Sequence, residues 1–211
     1  MKIRMSFEKN VRYISHLELM RTIQRILKRS GLPLKYSEGF NPHIILSIAV
    51  PIPVGVCGKK EFADFEIKED LDPKFILKSL KDASDNAIKP TGLFFDCKKS
   101  FNSVMFASYE IDIISDEADR IIEFLNQNEI NTEKKAKGKI KIINLKEYIH
   151  ELDFIKTENG LKIKCLLSCG NEKNLNPMLI RKALLKENIS LEAFNATRLS
   201  IYDSEMKEFL E

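Results

Sequence analysis

The chain has 211 residues, 44% apolar and 31% charged, which is the make-up of an ordinary globular protein of one large or two small domains and excludes a disordered one. Its net charge of +3 hides an asymmetry: residues 1–60 carry eleven Lys and Arg against three acids, a balance of +8, and the other 151 residues stand at −5. The opening MKIRMSFEKN lacks the apolar run of a signal peptide, and no stretch approaches the roughly 18 uninterrupted apolar residues of a membrane span, so a cytoplasmic protein with no membrane partner is expected.

In chain order, KIRMSF alternates Ile3, Met5 and Phe7 with Lys2, Arg4 and Ser6, the period of a strand with one buried face. A helix follows. Ser15-His16-Leu17-Glu18 is an S-x-x-E capping box, in which the Ser15 hydroxyl and the Glu18 carboxylate each satisfy a free amide of the first turn. At 100° per residue Leu19, Met20, Ile23, Ile26 and Leu27 share one side, and Arg21, Arg25, Lys28 and Arg29 share the other. Gly31 and Pro33 stop the helix. SEGFNPH, 37–43, gathers Gly39, Asn41-Pro42 and Phe40 into a turn before an apolar strand at 43–50, with a short strand possible at 34–37. The loop PIPVGVCGKK leads to the alternating strand EFADFEIK. Asp72 caps a second helix with Pro73 in its first position and Phe75, Ile76, Leu77 and Leu80 along one side, and a strand spans 87–97.

After a polar joint, KKSFNS at 98–103, the order of elements repeats. MFASYEIDII is a strand, Ser115 or Asp116 starts a helix with Ile121, Ile122 and Leu125, and two or three strands lie between residues 129 and 167. Within them NTEKKAKGK, 131–139, reads as an exposed hairpin tip or loop. Asn176-Pro177 opens a helix, ATRLSIY is the final strand, and SEMKEFLE reads as a short charged tail. The expected fold is α+β: two tandem ferredoxin-like (βαββαβ) domains with antiparallel sheets, over 1–99 and 104–211.

The four cysteines suggest no disulfide framework. Cys165 and Cys169 form a C-x3-C pair on a strand, where four residues separate the thiols by about 13 Å, too far to share a metal. Glu172 stands where a third cysteine would complete a radical S-adenosylmethionine cluster motif. Buried apolar thiols, with no metal and no cofactor, are the expectation.

Two features point to function. The cationic side of the first helix sets four cations against one acid, Glu18, where a merely solvated helix mixes signs; the helix dipole accounts for Lys28 and Arg29 better than for Arg21. In the turn, Phe40 either tucks into the core or, with Asn41 and His43, presents a stacking and hydrogen-bonding surface to unpaired bases. Arg21, Arg25, Lys28, Arg29, Phe40, Asn41 and His43 are therefore candidate nucleic-acid contacts. His16 and His43 are the candidates for acid/base catalysis, although no spacing brings them together. His150 has no evident partner, and no phosphate-binding, dinucleotide, zinc-protease or serine-hydrolase motif is present.

The run YISHLELMRTIQRILKRSGLPLKYSEGFNPHIILSIAVPIPVGV resembles the signature of the uncharacterised radical-SAM-linked family, a bacterial domain found free-standing or fused behind B12-binding radical SAM enzymes. The resemblance rests on Ser15-His16-Leu17, Met20-Arg21, Arg25, Gly31-Leu32-Pro33, Ser37, Gly39-Phe40-Asn41-Pro42-His43 and Pro53-Val54-Gly55; Ile44 stands where the family often has proline. It implies a radical SAM enzyme as partner and, from the family's gene neighbourhood beside ribonuclease G and ribosomal proteins, an RNA setting. It implies no known activity. The expected role is thus a non-catalytic accessory protein that binds ribosomal or transfer RNA and presents it to a separate radical SAM enzyme. The alternatives are a metal-independent endoribonuclease or RNA-modifying enzyme using His16 and His43, by analogy with CRISPR repeat-processing nucleases, and a protein-binding adaptor.

Overall fold

A computed structural model describes residues 1–136 and 138–209; Lys137, in the expected hairpin tip, and residues 210 and 211 of the expected tail lie outside the described residues. The described residues form a mixed α+β fold with mostly antiparallel strands and four α-helices, and they divide into two compact units. Unit 1 is Met1–Val104 together with Glu208 and Phe209, and unit 2 is Met105–Lys207.

Unit 1 contains β1 (Lys2–Lys9), α1 (His16–Arg29), β2 (Leu46–Ile48), β3 (Val56–Glu66), α2 (Pro73–Ala83) and β4 (Ile88–Phe95). β1 lies between β4 and β3, and β2 pairs with β3, all antiparallel. Ile3, Met5 and Phe7 of β1 are fully buried with Leu19, Ile23, Ile26 and Leu27 of α1 and Ile76 and Leu80 of α2, so the sequence periodicities define this core. Asp72 caps α2 as expected, accepting from the amide of Lys74 at 3.3 Å. Several expectations change. The apolar run at 43–50 yields a strand of three residues, because its start forms a hairpin with Tyr36 instead. Val56 to Lys60, read as loop, belong to β3. Phe75, read along the apolar side of α2, is 54% exposed.

The outward side of β1 is also covered at its middle. Arg4 is buried; its guanidinium donates Nε and Nη2 to the two carboxylate oxygens of Asp64 at 2.7 and 3.0 Å and Nη2 to the Lys99 carbonyl at 2.9 Å. The same group lies 4.4 Å from the ring centroid of Phe101 and 4.9 Å from that of Phe209. Phe209 is buried and packs on Phe62 and Phe101 at 5.9 and 5.6 Å. The segment read as a charged tail therefore supplies a core aromatic.

Unit 2 contains β5 (Phe106–Ile114), α3 (Ala118–Leu125), β6 (Asn131–Ala136), β7 (Lys139–Asn144), β8 (Ile149–Thr157), β9 (Gly160–Ser168), α4 (Met178–Lys186) and β10 (Ala193–Tyr202). β5 lies between β10 and β9, β8 follows β9, and β6 pairs with β7 as a separate two-stranded ribbon. Neither helix starts with its own side-chain cap. Instead Ser115 Oγ accepts from the Glu117 amide at 3.1 Å, and Asn176 Oδ1 from the Met178 amide at 3.0 Å. Gly160 opens β9 at φ 146°, with a would-be Cβ 2.2 Å from the Ile113 carbonyl oxygen. Cys165 and Cys169 are both buried, and burial pushes the Cys165 thiol up to about 12, so it packs as an apolar group. His150, read as partnerless, bonds to Ser168 Oγ at 2.8 Å and packs edge-on against Phe106 at 4.8 Å. Among the described residues no helix is long and apolar enough to cross a membrane.

Candidate nucleic-acid interface

The expected contacts lie in unit 1, on α1 and on the hairpin that follows it. The chain reaches α1 from the end of β3 marked by Gly58. Lys9 pairs with Gly58 in the ladder, its buried Nζ donates to the carbonyls of Val11 and Val56 at 2.6 Å, and the Gly55 amide donates to the Arg12 carbonyl at 2.8 Å. At Ser15 the expected cap forms in half. The hydroxyl accepts from the Glu18 amide at 3.1 Å, but the Glu18 carboxylate turns along the helix to Arg25 Nη2 at 2.8 Å and Arg21 Nη1 at 3.8 Å. Two guanidinium groups compete with one amide for this carboxylate, and charged donors make the stronger bonds. The Arg25 hydrogen bond, then the fields of Arg25 and Arg21, outweigh desolvation and hold the Glu18 carboxyl below its usual range.

This pairing redistributes the cationic face. Arg21, which the helix dipole explains poorly, and Arg25 are both accounted for by Glu18; Arg25 also donates to Thr22 Oγ1 at 2.9 Å. Lys28 and Arg29 are exposed, and no ion pair joins either to a described residue. Among the four, they are the cations open to an external anion.

Beyond α1, Gly31 takes φ 70° and Leu34 bridges Ile67, at the far end of β3 from Gly58. Lys35 continues the connection: its amide donates to the Glu66 carbonyl at 2.9 Å and its Nζ pairs with the Glu66 carboxylate at 2.9 Å. A short hairpin rises from there. Tyr36 bridges Ile44, the Ser37 amide donates to the His43 carbonyl at 2.8 Å, and Ser37 Oγ accepts from the His43 amide at 3.1 Å. Ser37 Oγ also lies 2.9 Å from His43 Nδ1. Nδ1 lies 3.4 Å from the Asn41 carbonyl oxygen as well, so the imidazole is held between Ser37 and Asn41. Gly39 occupies φ 111°, a conformation costly for any residue with a Cβ.

At the tip Phe40 stands in solvent, with a relative exposure of 107%, and Asn41, Pro42 and His43 are exposed beside it. Of the two readings of Phe40, the packed one is excluded. From Arg29 the chain passes through Leu34 and Lys35, at the Glu66 end of β3, to this turn. His16, exposed at the first position of α1, belongs to the other end; 14 residues of helix, about 20 Å, lie between the two attachments, and no hydrogen bond joins His16 to His43. The described residues hold no cluster of three or more His, Cys, Asp or Glu able to bind a metal. A cavity of about 710 Å³ in unit 2, lined by Ser108, Glu151, Asp153, Lys164, Leu166 and Tyr202 among others, includes none of these residues.

Sequence reasoning missed the role of Ser37 in fixing the turn. Its signal was a serine six residues before a histidine across a Gly and an Asn-Pro, the spacing of a short hairpin closed on itself.

Comparison with known proteins gives three results. No curated protein matches the chain. A chain in a crystal structure of a Cbf5-Nop10-Gar1 complex shares the fold with a TM-score of 0.53 at 12% identity; the match covers 94% of the present chain and 48% of the other, so this chain spans about half its length. Residues 2–177 match a protein family described as uncharacterized and conserved in bacteria.

Proposed function

The chain belongs to that uncharacterized family conserved in bacteria, DUF2344, and from this premise we propose that it is a non-catalytic accessory protein that binds RNA through unit 1. Lys28 and Arg29 hold phosphates, with Arg21 and Arg25 contributing to the field, and Phe40, Asn41 and His43 contact an unpaired base. The observation that carries this reading is Phe40: a fully exposed aromatic ring on a turn fixed by the Ser37–His43 hydrogen bonds. Folding gains nothing from that ring in water, and single-stranded RNA readers use such rings for stacking. Ribosomal or transfer RNA as the ligand, and a radical SAM enzyme as the recipient, follow from the family resemblance of residues 13–56.

Each unit is best read as a ferredoxin-like variant. The orders β4-β1-β3-β2 and β10-β5-β9-β8 both correspond to 4-1-3-2 of a βαββαβ motif, with the β6–β7 ribbon inserted in the second.

The test is binding of a labelled single-stranded oligoribonucleotide to the full chain across a salt series. Phe40→Ala is expected to weaken affinity by about 5- to 150-fold, the cost of about 1–3 kcal/mol for one lost base stack, with an unchanged melting temperature. Lys28→Gln with Arg29→Gln is expected to make the log–log salt slope less negative by about 1.4. Absence of binding by the wild type at low salt refutes the proposal.

A further inference from the structure

Among the described residues the β6–β7 ribbon is anchored through β6. Thr132 is buried, Glu133 pairs with Lys182 of α4 at 3.0 Å, and Lys134 Nζ donates to the Asn174 carbonyl at 2.6 Å while lying 5.4 Å from the ring centroid of Tyr148. On β7 the side chains from Lys139 to Ile142 stand in solvent. Lys135, Lys139 and Lys141 are exposed, and Ile140 and Ile142 are 67% and 74% exposed. β-Branched residues suit a strand, but threonine would serve the pleat equally without placing two large apolar side chains in water.

The register sharpens the point. Ile140 faces Lys135 and Ile142 faces Glu133 on one side of the ribbon, and Lys141 faces Lys134 on the other. Like charges directly opposed across a ladder are unfavourable. Glu133 is the sole carboxylate between 131 and 144, and Lys182 already engages it. β7 thus carries Lys139 and Lys141 on one face and Ile140 and Ile142, with Lys135 beside them, on the other, and the ribbon's one carboxylate is already engaged. Successive lysines on β7 stand about 7 Å apart. A single RNA strand laid along the outer edge of β7 reaches both sets, its phosphates the lysines and its apolar base faces the isoleucines.

We propose that the β7 side of the β6–β7 ribbon is a second RNA contact, in which Lys135, Lys139 and Lys141 meet phosphates and Ile140 and Ile142 lie against unpaired bases. This extends the RNA reading of unit 1 and depends on it for the class of ligand, but it uses none of the same residues.

The experiment is anisotropy of a labelled, mixed-sequence single-stranded oligoribonucleotide with the full chain over a KCl series. Lys139→Gln with Lys141→Gln is expected to weaken binding and make the log–log slope less negative by about 1.4, two cations at about 0.7 each. Ile140→Ser with Ile142→Ser is expected to weaken binding while leaving the slope unchanged. If both ribbon variants bind as the wild type does while Lys28→Gln with Arg29→Gln changes the slope, the ribbon contact is overturned and the unit 1 reading stands. If the ribbon variants lose affinity and the α1 and Phe40 variants do not, the ribbon contact stands and the unit 1 reading falls. No binding by the wild type overturns both. Displacement of the RNA by polyglutamate at equal charge concentration overturns RNA as the ribbon's ligand in favour of an acidic protein surface.

Discussion

Replacing Phe209 with alanine tests whether the segment read as a tail is part of the core of unit 1. The ring is 1% exposed, touches Phe62 and Phe101 and covers the Arg4 guanidinium. Losing its burial costs about 1.5–3 kcal/mol, and its aromatic contacts add about 0.5–1.5 kcal/mol each. A cavity beside the Arg4–Asp64 pair places the total within the usual Phe→Ala range of about 3–5 kcal/mol. The chain has no tryptophan, so the assay is far-UV circular dichroism in urea. With a slope of about 2 kcal/mol/M, the midpoint of the affected transition falls by about 1.5–2.5 M. Phe209→Leu, which keeps apolar bulk, recovers more than half of that. A second readout is Cys97, half-buried beside Arg4 and Phe209, where burial raises the thiol above its ordinary range; its native-state reaction with a thiol reagent accelerates in Phe209→Ala. A midpoint shift below about 0.3 M with unchanged Cys97 reactivity refutes the assignment.

Three further outcomes are expected. Gly160→Ala drives a Cβ into the Ile113 carbonyl at a φ that alanine avoids, and is expected to cost more than about 1 kcal/mol in urea midpoint analysis; a neutral effect contradicts the geometry. Cys165 keeps its proton in the fold up to about 12 but ionises near its ordinary 9.0 when unfolded, so its contribution is complete below pH 9 and is lost as pH rises from 9 towards 12. Cys165→Ala should flatten that alkaline decline, and an identical pH profile counts against burial of the thiol. For Glu18, the depressed carboxyl contributes above its unfolded value of 4.5 and loses that contribution as pH falls through the lower folded value. Under the RNA reading, Glu18→Gln frees Arg21 and Arg25 and should tighten oligoribonucleotide binding with a steeper salt slope; unchanged affinity contradicts a role for these arginines.

What the sequence reveals here is set by the range of each interaction. The apolar stripe of α1, the alternation of β1 and the Asp72 cap are local, repeat within a few residues and match the structure. The fate of the Glu18 carboxylate was less legible, because capping and pairing with Arg21 or Arg25 are all local options for one rotatable side chain, and the choice rests on the relative strength of amide and guanidinium donors. Phe209 was invisible for the opposite reason. A lone phenylalanine among charged residues acquires meaning from Phe62, Phe101 and Arg4, all distant in the chain. Phe40 falls between these cases: the turn chemistry around it was readable, whereas its direction depends on the register of the 35–45 hairpin.

The aromatic lid over Arg4 also has a timetable. Phe62 and Phe101 are made early, but the ring that joins them is made only after the roughly one hundred residues of Met105–Lys207. At about 5–20 residues per second, translation leaves this cluster uncovered for about 5–20 s, far longer than a local helix or hairpin needs to form. During that interval a buried ion pair and two phenylalanines face water, so the nascent chain presents a sticky, half-finished sheet face that chaperones or stray strands can occupy. Arrest of synthesis before residue 209 should therefore yield a species more prone to aggregation than a chain that includes Phe209, although β1 to β10 are already present.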